Sequence, residues 1–399
     1  MTDSLDTQDI FEDRQATEMS LPEYSAGEGG GEDQNAGNEI PEIAVFSQKG
    51  YLYLKENQID AAEECFRKIL ESDADNNYAL VGMGDVARKK GDFAAAIKYY
   101  EACLQHHPGN NYALFGLADC YKAFKNYPKA IEIWEHYLHH DNKNVTVLTR
   151  IADTYRKVRN LHKSRTIYQQ VLTMEENNPY ALIGLGHLHY DFKEYDKALF
   201  YWERMINAYS SGEIDIRVLT SVGNCHRKMK NFSNGITVFR KALESVPDNF
   251  YALFGMADCY RGMNMHKEAL EYWNKILALD PVNKVILTRA GEEYRAMGEF
   301  EEAQKLYEKA LNIEYDSYAV MGLALINKER GKYAEALTSL EVLLKSGFKN
   351  SRIYAEIADC YMKLGQPQQA ENFLASYTKN RPASPRAGYP SGKFRKIPR

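Results

Sequence analysis

An acid and a base stand three residues apart at Asp85 and Arg88, and the arrangement returns at Asp119 and Lys122, Asp153 and Arg156, and Asp258 and Arg261. Asn224 with Arg227 and Glu292 with Arg295 are variants of it. Arginine matches a carboxylate through two parallel hydrogen bonds, so such a set can grip the carboxylates or carbonyls of a peptide. On a single helix the same spacing simply pairs neighbours, a contact of about 0.2–0.5 kcal/mol that serves solubility. The stretches that carry these charges also carry Tyr78, Tyr112, Tyr180, Tyr251 and Tyr318, with Phe115 and Phe254 three residues after two of them. Tyrosine offers a large contact area at low entropic cost, which suits a binding surface. An aromatic stripe suits packing between repeated elements equally well. Both readings stay open for the charges and for the rings.

Other chemistry is poorly supported. His136, His139, His140 and Asp141 have helical spacing, and His187 lies near His189, but no third ligand group accompanies either set. The six cysteines are scattered singly without a CxxC pair, and Cys120, Cys225, Cys259 and Cys360 share one repeat position. That predicts small buried packing residues rather than a zinc site or disulfide framework. No Gly-rich phosphate loop, GxSxG elbow or HExxH occurs. The expectation is a protein that is not an enzyme, with no cofactor, no metal and no small-molecule substrate.

The charge is unevenly placed. Residues 1–42 sum to −11 and residues 379–399 to +7, leaving −1 on the body of a 399-residue chain whose net charge is −5. The acidic tail, 1–42, has few large apolar residues, and the basic tail, 381–399, holds four prolines counting Pro382; both predict disorder. No run approaches the roughly 18 apolar residues of a membrane span, and the N-terminus lacks a secretion signal. A cytoplasmic location follows as an expectation. In the basic tail, Phe394 sits among Lys393, Arg395, Lys396 and Arg399, a mixture that can hold nucleic acid or an anionic membrane.

The elements that position all these residues emerge from internal repetition. NNYALFGLADCYKAFKNYPKAIEIWEHYL at 110–138 nearly returns as NFYALFGMADCYRGMNMHKEALEYWNKIL at 249–277. The unit is 34 residues, with starts at 43, 77, 111, 145, 179, 216, 250, 284, 317 and 351 across an array spanning 43–380. The fifth copy has 37 residues, its extra length near Ser210–Ser211–Gly212, and the eighth has 33. Each copy reads as two amphipathic helices: Leu114, Leu117, Ala118 and Tyr121 share one face, and Ala130, Ile133, Trp134, Tyr137 and Leu138 the next. Gly91, Gly298, Gly331 and Gly365 mark the break between the two. The last residue of the first nine copies is always Asn or Asp, from Asn76 to Asn350. A short oxygen-bearing side chain before a helix is an N-cap worth about 1 kcal/mol, so these regular residues are scaffold.

The pattern resembles the tetratricopeptide repeat (TPR) family. Small residues stand where its two helices touch (Gly84, Ala118, Ala152, Gly186, Ala257 among them), and a first-helix aromatic recurs as Tyr53, Tyr121, Tyr155, Tyr260, Tyr294 and Tyr361. The aromatic departs to Ala87, His189, His226 and Asn327 in the remaining copies. The resemblance implies an all-α, right-handed superhelical solenoid of ten hairpins, with first helices lining a concave groove. It places Tyr78, Tyr112, Phe115, Asp119, Lys122, Asp153, Arg156, Tyr180, Arg227, Tyr251, Phe254, Asp258, Arg261, Arg295 and Tyr318 on that groove. The function it implies is a scaffold or adaptor that binds a protein or peptide. The two-carboxylate clamp of some relatives requires Asn where this chain mostly has Asp, which would repel a C-terminal carboxylate. The alternative function is a nucleic-acid or membrane tether working through the basic tail, with the array as spacer.

A longer period overlies the first. Trp134, Trp202 and Trp273 occupy one second-helix position in the third, fifth and seventh copies, while Leu148–Thr149, Leu219–Thr220 and Leu287–Thr288 mark the copies that follow. The expectation is a surface alternating aromatic and threonine-bearing stripes.

Overall fold

The computed structural model describes residues 42–209, 215–348 and 352–379. Among the described residues there are twenty helices and no strand, so the class is the all-α solenoid expected from the repeats. The chain divides into two compact units meeting at residues 218 and 219. The first holds α1 Glu42–Lys55, α2 Ile59–Ser72, α3 Asn77–Lys89, α4 Phe93–His106, α5 Asn111–Ala123, α6 Tyr127–His140, α7 Val145–Lys157, α8 Leu161–Met174, α9 Pro179–Asp191 and α10 Tyr195–Ala208. Helix α11 Ile216–Lys228 runs from the first unit into the second. The second unit continues with α12 Phe232–Ser245, α13 Phe250–Gly262, α14 His266–Leu279, α15 Lys284–Ala296, α16 Phe300–Ile313, α17 Ser317–Glu329, α18 Tyr333–Lys345, α19 Arg352–Lys363 and α20 Pro367–Lys379. In each unit a second helix packs on its own first helix and on the next one. First helices also touch directly, as α1 does α3, α3 does α5, α7 does α9 and α15 does α17.

Caps set where the first helices begin. The side chains of Asn76, Asn110, Asn144, Asn178, Asn249 and Asn283 each accept from the backbone N–H three residues on. Asp316 accepts from Tyr318 and Ala319, and Asp215 accepts from the Arg217 N–H at 2.9 Å. The ninth boundary residue, Asn350, lies outside the described residues, as do residues 1–41 of the acidic tail and the whole basic tail, whereas Glu42 begins the first helix.

The turn inside each hairpin closes in one way. The Asp92 N–H donates to Ala87 O at 2.9 Å across Gly91, whose φ is +79°. This is the Schellman arrangement, which needs one residue in the left-handed region. The corresponding residues Lys125, Arg159, Lys193 and Lys230 adopt φ of 58–61° although none is glycine. A side chain there carries a local cost of roughly 1–2 kcal/mol, only partly offset by the chain entropy that glycine loses on folding. Each of Lys125→Gly, Arg159→Gly and Lys230→Gly is therefore expected to raise stability by up to about 1 kcal/mol. A lower denaturation midpoint in these variants would refute this account of the turn.

Each unit has its own core of second-helix rings. Phe66, Tyr100, Trp134, Tyr168, Trp202, Phe239, Trp273 and Tyr307 are at most 2 % exposed. Phe66 rests on Gly50 of its own hairpin and Gly82 of the next, Tyr100 on Gly84 and Gly116, Phe239 on Gly223 and Gly255, and Tyr307 on Gly291 and Gly322. A Cβ on any of these glycines would approach the ring to 2.2–2.7 Å.

The packing corrects the expectation of alternating surface stripes. Thr149, Thr220 and Thr288 are buried. Thr149 donates its hydroxyl to Thr146 O at 2.9 Å and Thr288 to Lys284 O at 3.1 Å, so their own helices satisfy them. The receiving position is glycine after Tyr100, Tyr168, Phe239 and Tyr307, but Arg150 after Trp134 and Arg289 after Trp273. The cysteines behave as expected: all six are buried and none is in a disulfide, and burial pushes the thiols of Cys120 and Cys259 up to about 12.

Candidate functional site

The first-helix charges that the sequence singled out are joined into a ladder. Arg88 pairs with Asp85 on its own helix at 3.1 Å and reaches Asp119 of the next hairpin at 3.5 Å. Asp119 also receives Arg150 of the following hairpin at 2.8 Å. Lys122 donates to Asp153 at 2.8 Å, Arg156 pairs with Asp153 at 3.0 Å, and Arg156 continues to Asp191 at 2.7 Å. In the second unit, Arg227 meets Asp258 at 2.6 Å, Arg261 meets it at 2.5 Å and Arg289 approaches to 4.0 Å. Arg227 also donates Nε to Asn224 at 3.1 Å. Arg295 reaches Glu329 at 2.6 Å.

Pairing within one helix is thus half of the arrangement, and the other half ties successive hairpins together. Spacing along one helix cannot reveal that half. The sequence reading also missed Arg150, Arg289, Asp191 and Glu329. The signal for the two arginines was their place in LTR runs, where neighbouring copies carry glycine.

The ladder is poorly hydrated, and that decides its energetics. Burial works to raise the carboxyl pKa of Asp153, but Lys122 and Arg156 outweigh it and hold the group below the usual carboxylate range. Asp258 is also lowered: burial again opposes, and Arg261 and Arg227 prevail. Both carboxylates are ionised and matched within the protein. A ligand carboxylate would have to compete with these internal partners.

The aromatic candidates separate into two groups. Tyr78, Tyr112 and Tyr180 stand in the first turns of α3, α5 and α9 with exposures of 55, 37 and 51 %, and Tyr318 is exposed in the first turn of α17. Tyr318 packs edge-on to Phe348 at 5.2 Å. Phe115 instead lies under the Arg150 guanidinium at 4.9 Å, and Phe254 packs on Trp273 at 5.1 Å. Tyr251 is half-buried and meets Phe250 at 5.4 Å. Phe115 and Phe254 are therefore part of the packing, which six-residue windows of sequence do not show.

The histidines gather no ligand set. His136 lies 5.4 Å from His140 and 6.5 Å from His139 between ring centres, and His139 Nδ1 donates to Glu135 O at 2.7 Å. Burial lowers His187 to about 3, so it is neutral. Among the described residues no three His, Cys, Asp or Glu side chains are placed to hold a metal, and no helix is long and apolar enough to cross a membrane. Lys393, Arg395, Lys396 and Arg399 lie outside the described residues.

Comparison with known proteins follows the same lines. Models of the tetratricopeptide repeat match residues 48–102, 149–212 and 288–348, residues 87–153 and 328–388, and residues 251–281. A tetratricopeptide repeat protein of Parabacteroides merdae is 16 % identical, with 72 % of this chain and 98 % of that one aligned at a TM-score of 0.43. PilF of Pseudomonas aeruginosa is 16 % identical over 53 % of this chain and 95 % of its own, TM-score 0.46. YrrB, described as a TPR protein with an unusual peptide-binding site, is 19 % identical over 47 % and 95 %, TM-score 0.41. No curated protein matches. With those models together matching most of residues 48–388, on helical hairpins stacked as the repeats require, the chain belongs to the tetratricopeptide repeat family.

Proposed function

We propose that this chain binds an extended protein segment along its first-helix face, with Tyr78, Tyr112 and Tyr180 as the principal anchors in the first unit. The general function, a protein-interaction scaffold, accords with the family. The observation that carries the finer reading is the exposure of these three large rings on first helices, two of them on the touching pair α3 and α5. Rings with an apolar body and a polar tip gain most when a partner covers the body and the hydroxyl keeps a hydrogen bond. The ladder beneath serves mainly to hold neighbouring hairpins in register. A preordered face spares the partner's binding energy the cost of ordering the array.

The test is the variant Tyr78→Ala, Tyr112→Ala, Tyr180→Ala. Capture of the chain's partners, identified by affinity purification and mass spectrometry, should fall at least about tenfold, since each anchor is worth more than 1 kcal/mol. Because the rings are exposed, the denaturation midpoint should barely move. Unchanged capture by a folded triple variant overturns the assignment.

A further inference from the structure

The second helices of the first unit carry another surface. Phe200 on α10 is 58 % exposed. The equivalent second-helix position is polar in all nine other repeats, as at Glu132, Thr166, Thr237 and Glu271. Its ring stands between two shallow grooves of about 390 and 440 Å³, both of which it lines. The ring also has aromatic neighbours. Phe200 packs edge-on to Tyr201 at 5.2 Å, Tyr201 stacks on His189 at 5.4 Å, and His189 Nδ1 donates to Glu194 at 2.6 Å. An apolar ridge between two grooves is a shape that fits a copy of itself.

The charges around it are arranged in the same sense. Toward the N-terminus of α10 stand Asp196 and Lys197, and toward the C-terminus Glu203 and Arg204. Two copies of α10 packed antiparallel about a two-fold axis at Phe200 would set residues equally far before and after 200 at one level. Lys197 would then face the second copy's Glu203, and Asp196 its Arg204, each contact occurring twice by symmetry. Asp196 and Glu203 make no ion pair within the described chain. Lys197 holds the partly exposed Glu194 at 3.1 Å, a contact that solvent screens and that is cheaply exchanged. Arg204 pairs with Glu176 at 3.4 Å and also donates to Glu176 O at 2.7 Å and to Asn177 Oδ1 at 3.2 Å, so Lys197 with Glu203 is the leading charge pair across the axis.

We infer that Phe200 and its flanking charges form a self-complementary surface through which two copies of this chain associate, α10 against α10. One helix crossing buries less than the 1,200–2,000 Å² typical of tight complexes, so the expected dissociation constant is micromolar, roughly 1–100 µM. The surface is separate from the tyrosine face and does not depend on that reading.

Sedimentation equilibrium of the full chain up to about 200 µM tests it, that range bracketing the expected affinity. The expected result is a monomer–dimer equilibrium that Phe200→Asp abolishes. Lys197→Glu should weaken association at least about tenfold, because it places like charges together twice. Adding Glu203→Lys to it should restore association. All three positions are exposed, so circular dichroism should be unchanged, and the triple tyrosine variant should still dimerise. A wild-type chain that stays monomeric, a Phe200→Asp variant that still dimerises, or a double charge exchange that fails to rescue would each overturn the proposal. So would loss of the dimer on removing residues 1–41, which would make the acidic tail the occupant.

Discussion

Asp119→Ala is expected to loosen the first unit by about 3–5 kcal/mol, the usual cost of leaving a buried charge without its partner. Asp119 and Arg150 are 2.8 Å apart with side chains only 8 and 7 % exposed. Without the carboxylate, Arg150 is held over Phe115 with no counter-ion, and Arg88 keeps only Asp85. Hydrogen exchange at the amides of α5 and α7 is the suitable measurement, because repeat arrays open locally and one global value would blur the effect. Two comparisons give the result its meaning. Arg67→Ala removes exposed pairs with Glu63 and Glu64 and should cost under about 0.5 kcal/mol. Asp119→Leu combined with Arg150→Met should recover most of the loss, because an apolar pair needs no counter-ion. If Asp119→Ala costs no more than Arg67→Ala, the ladder is a solvated surface feature and its carboxylates are available to partners after all.

The second large effect is steric. Gly255→Ala places a Cβ about 2.2 Å from Phe239 Cζ, and Phe239 is already confined on its other side by Gly223. Overpacking of this kind costs typically about 1–3 kcal/mol. Phe239→Leu alone should also destabilise, by leaving space. Together the two changes should cost clearly less than their sum, since the smaller side chain makes room for the added methyl. A double-mutant cycle on denaturation midpoints reads this coupling. Strict additivity would show that the ring shifts freely and that the glycine column does not set the spacing of hairpins.

These two sites show where sequence reasoning reached and where it stopped. The caps were legible because an N-cap is local: Asn110 and the amide of Ala113 lie within one turn of chain, and the oxygen needs only that turn. The hairpin turns were legible at Gly91 and not at Lys125, because a lysine at positive φ leaves no mark in composition. The acid–base pairs were legible as pairs, but the helical period connects Asp153 only to Arg156. Lys122 reaches Asp153 only because packing brings α5 and α7 together. Phe115 and Tyr112 looked alike on one helix face, yet one lies beneath an arginine of the next hairpin and the other is more than a third exposed.

The sequence by itself therefore determined the repeat length, the two helices per repeat, their capped starts and the family. Each of these rests on contacts between residues a few positions apart, which recur in every copy and reinforce one another in a single chain. Only the tertiary structure decided which charges are spent on holding hairpins together, which rings are received by glycines of the next hairpin, and that Phe200 is exposed between two grooves. Those outcomes depend on pairs some 30 residues apart. Which two side chains meet at that distance is settled by how one helix seats on the next.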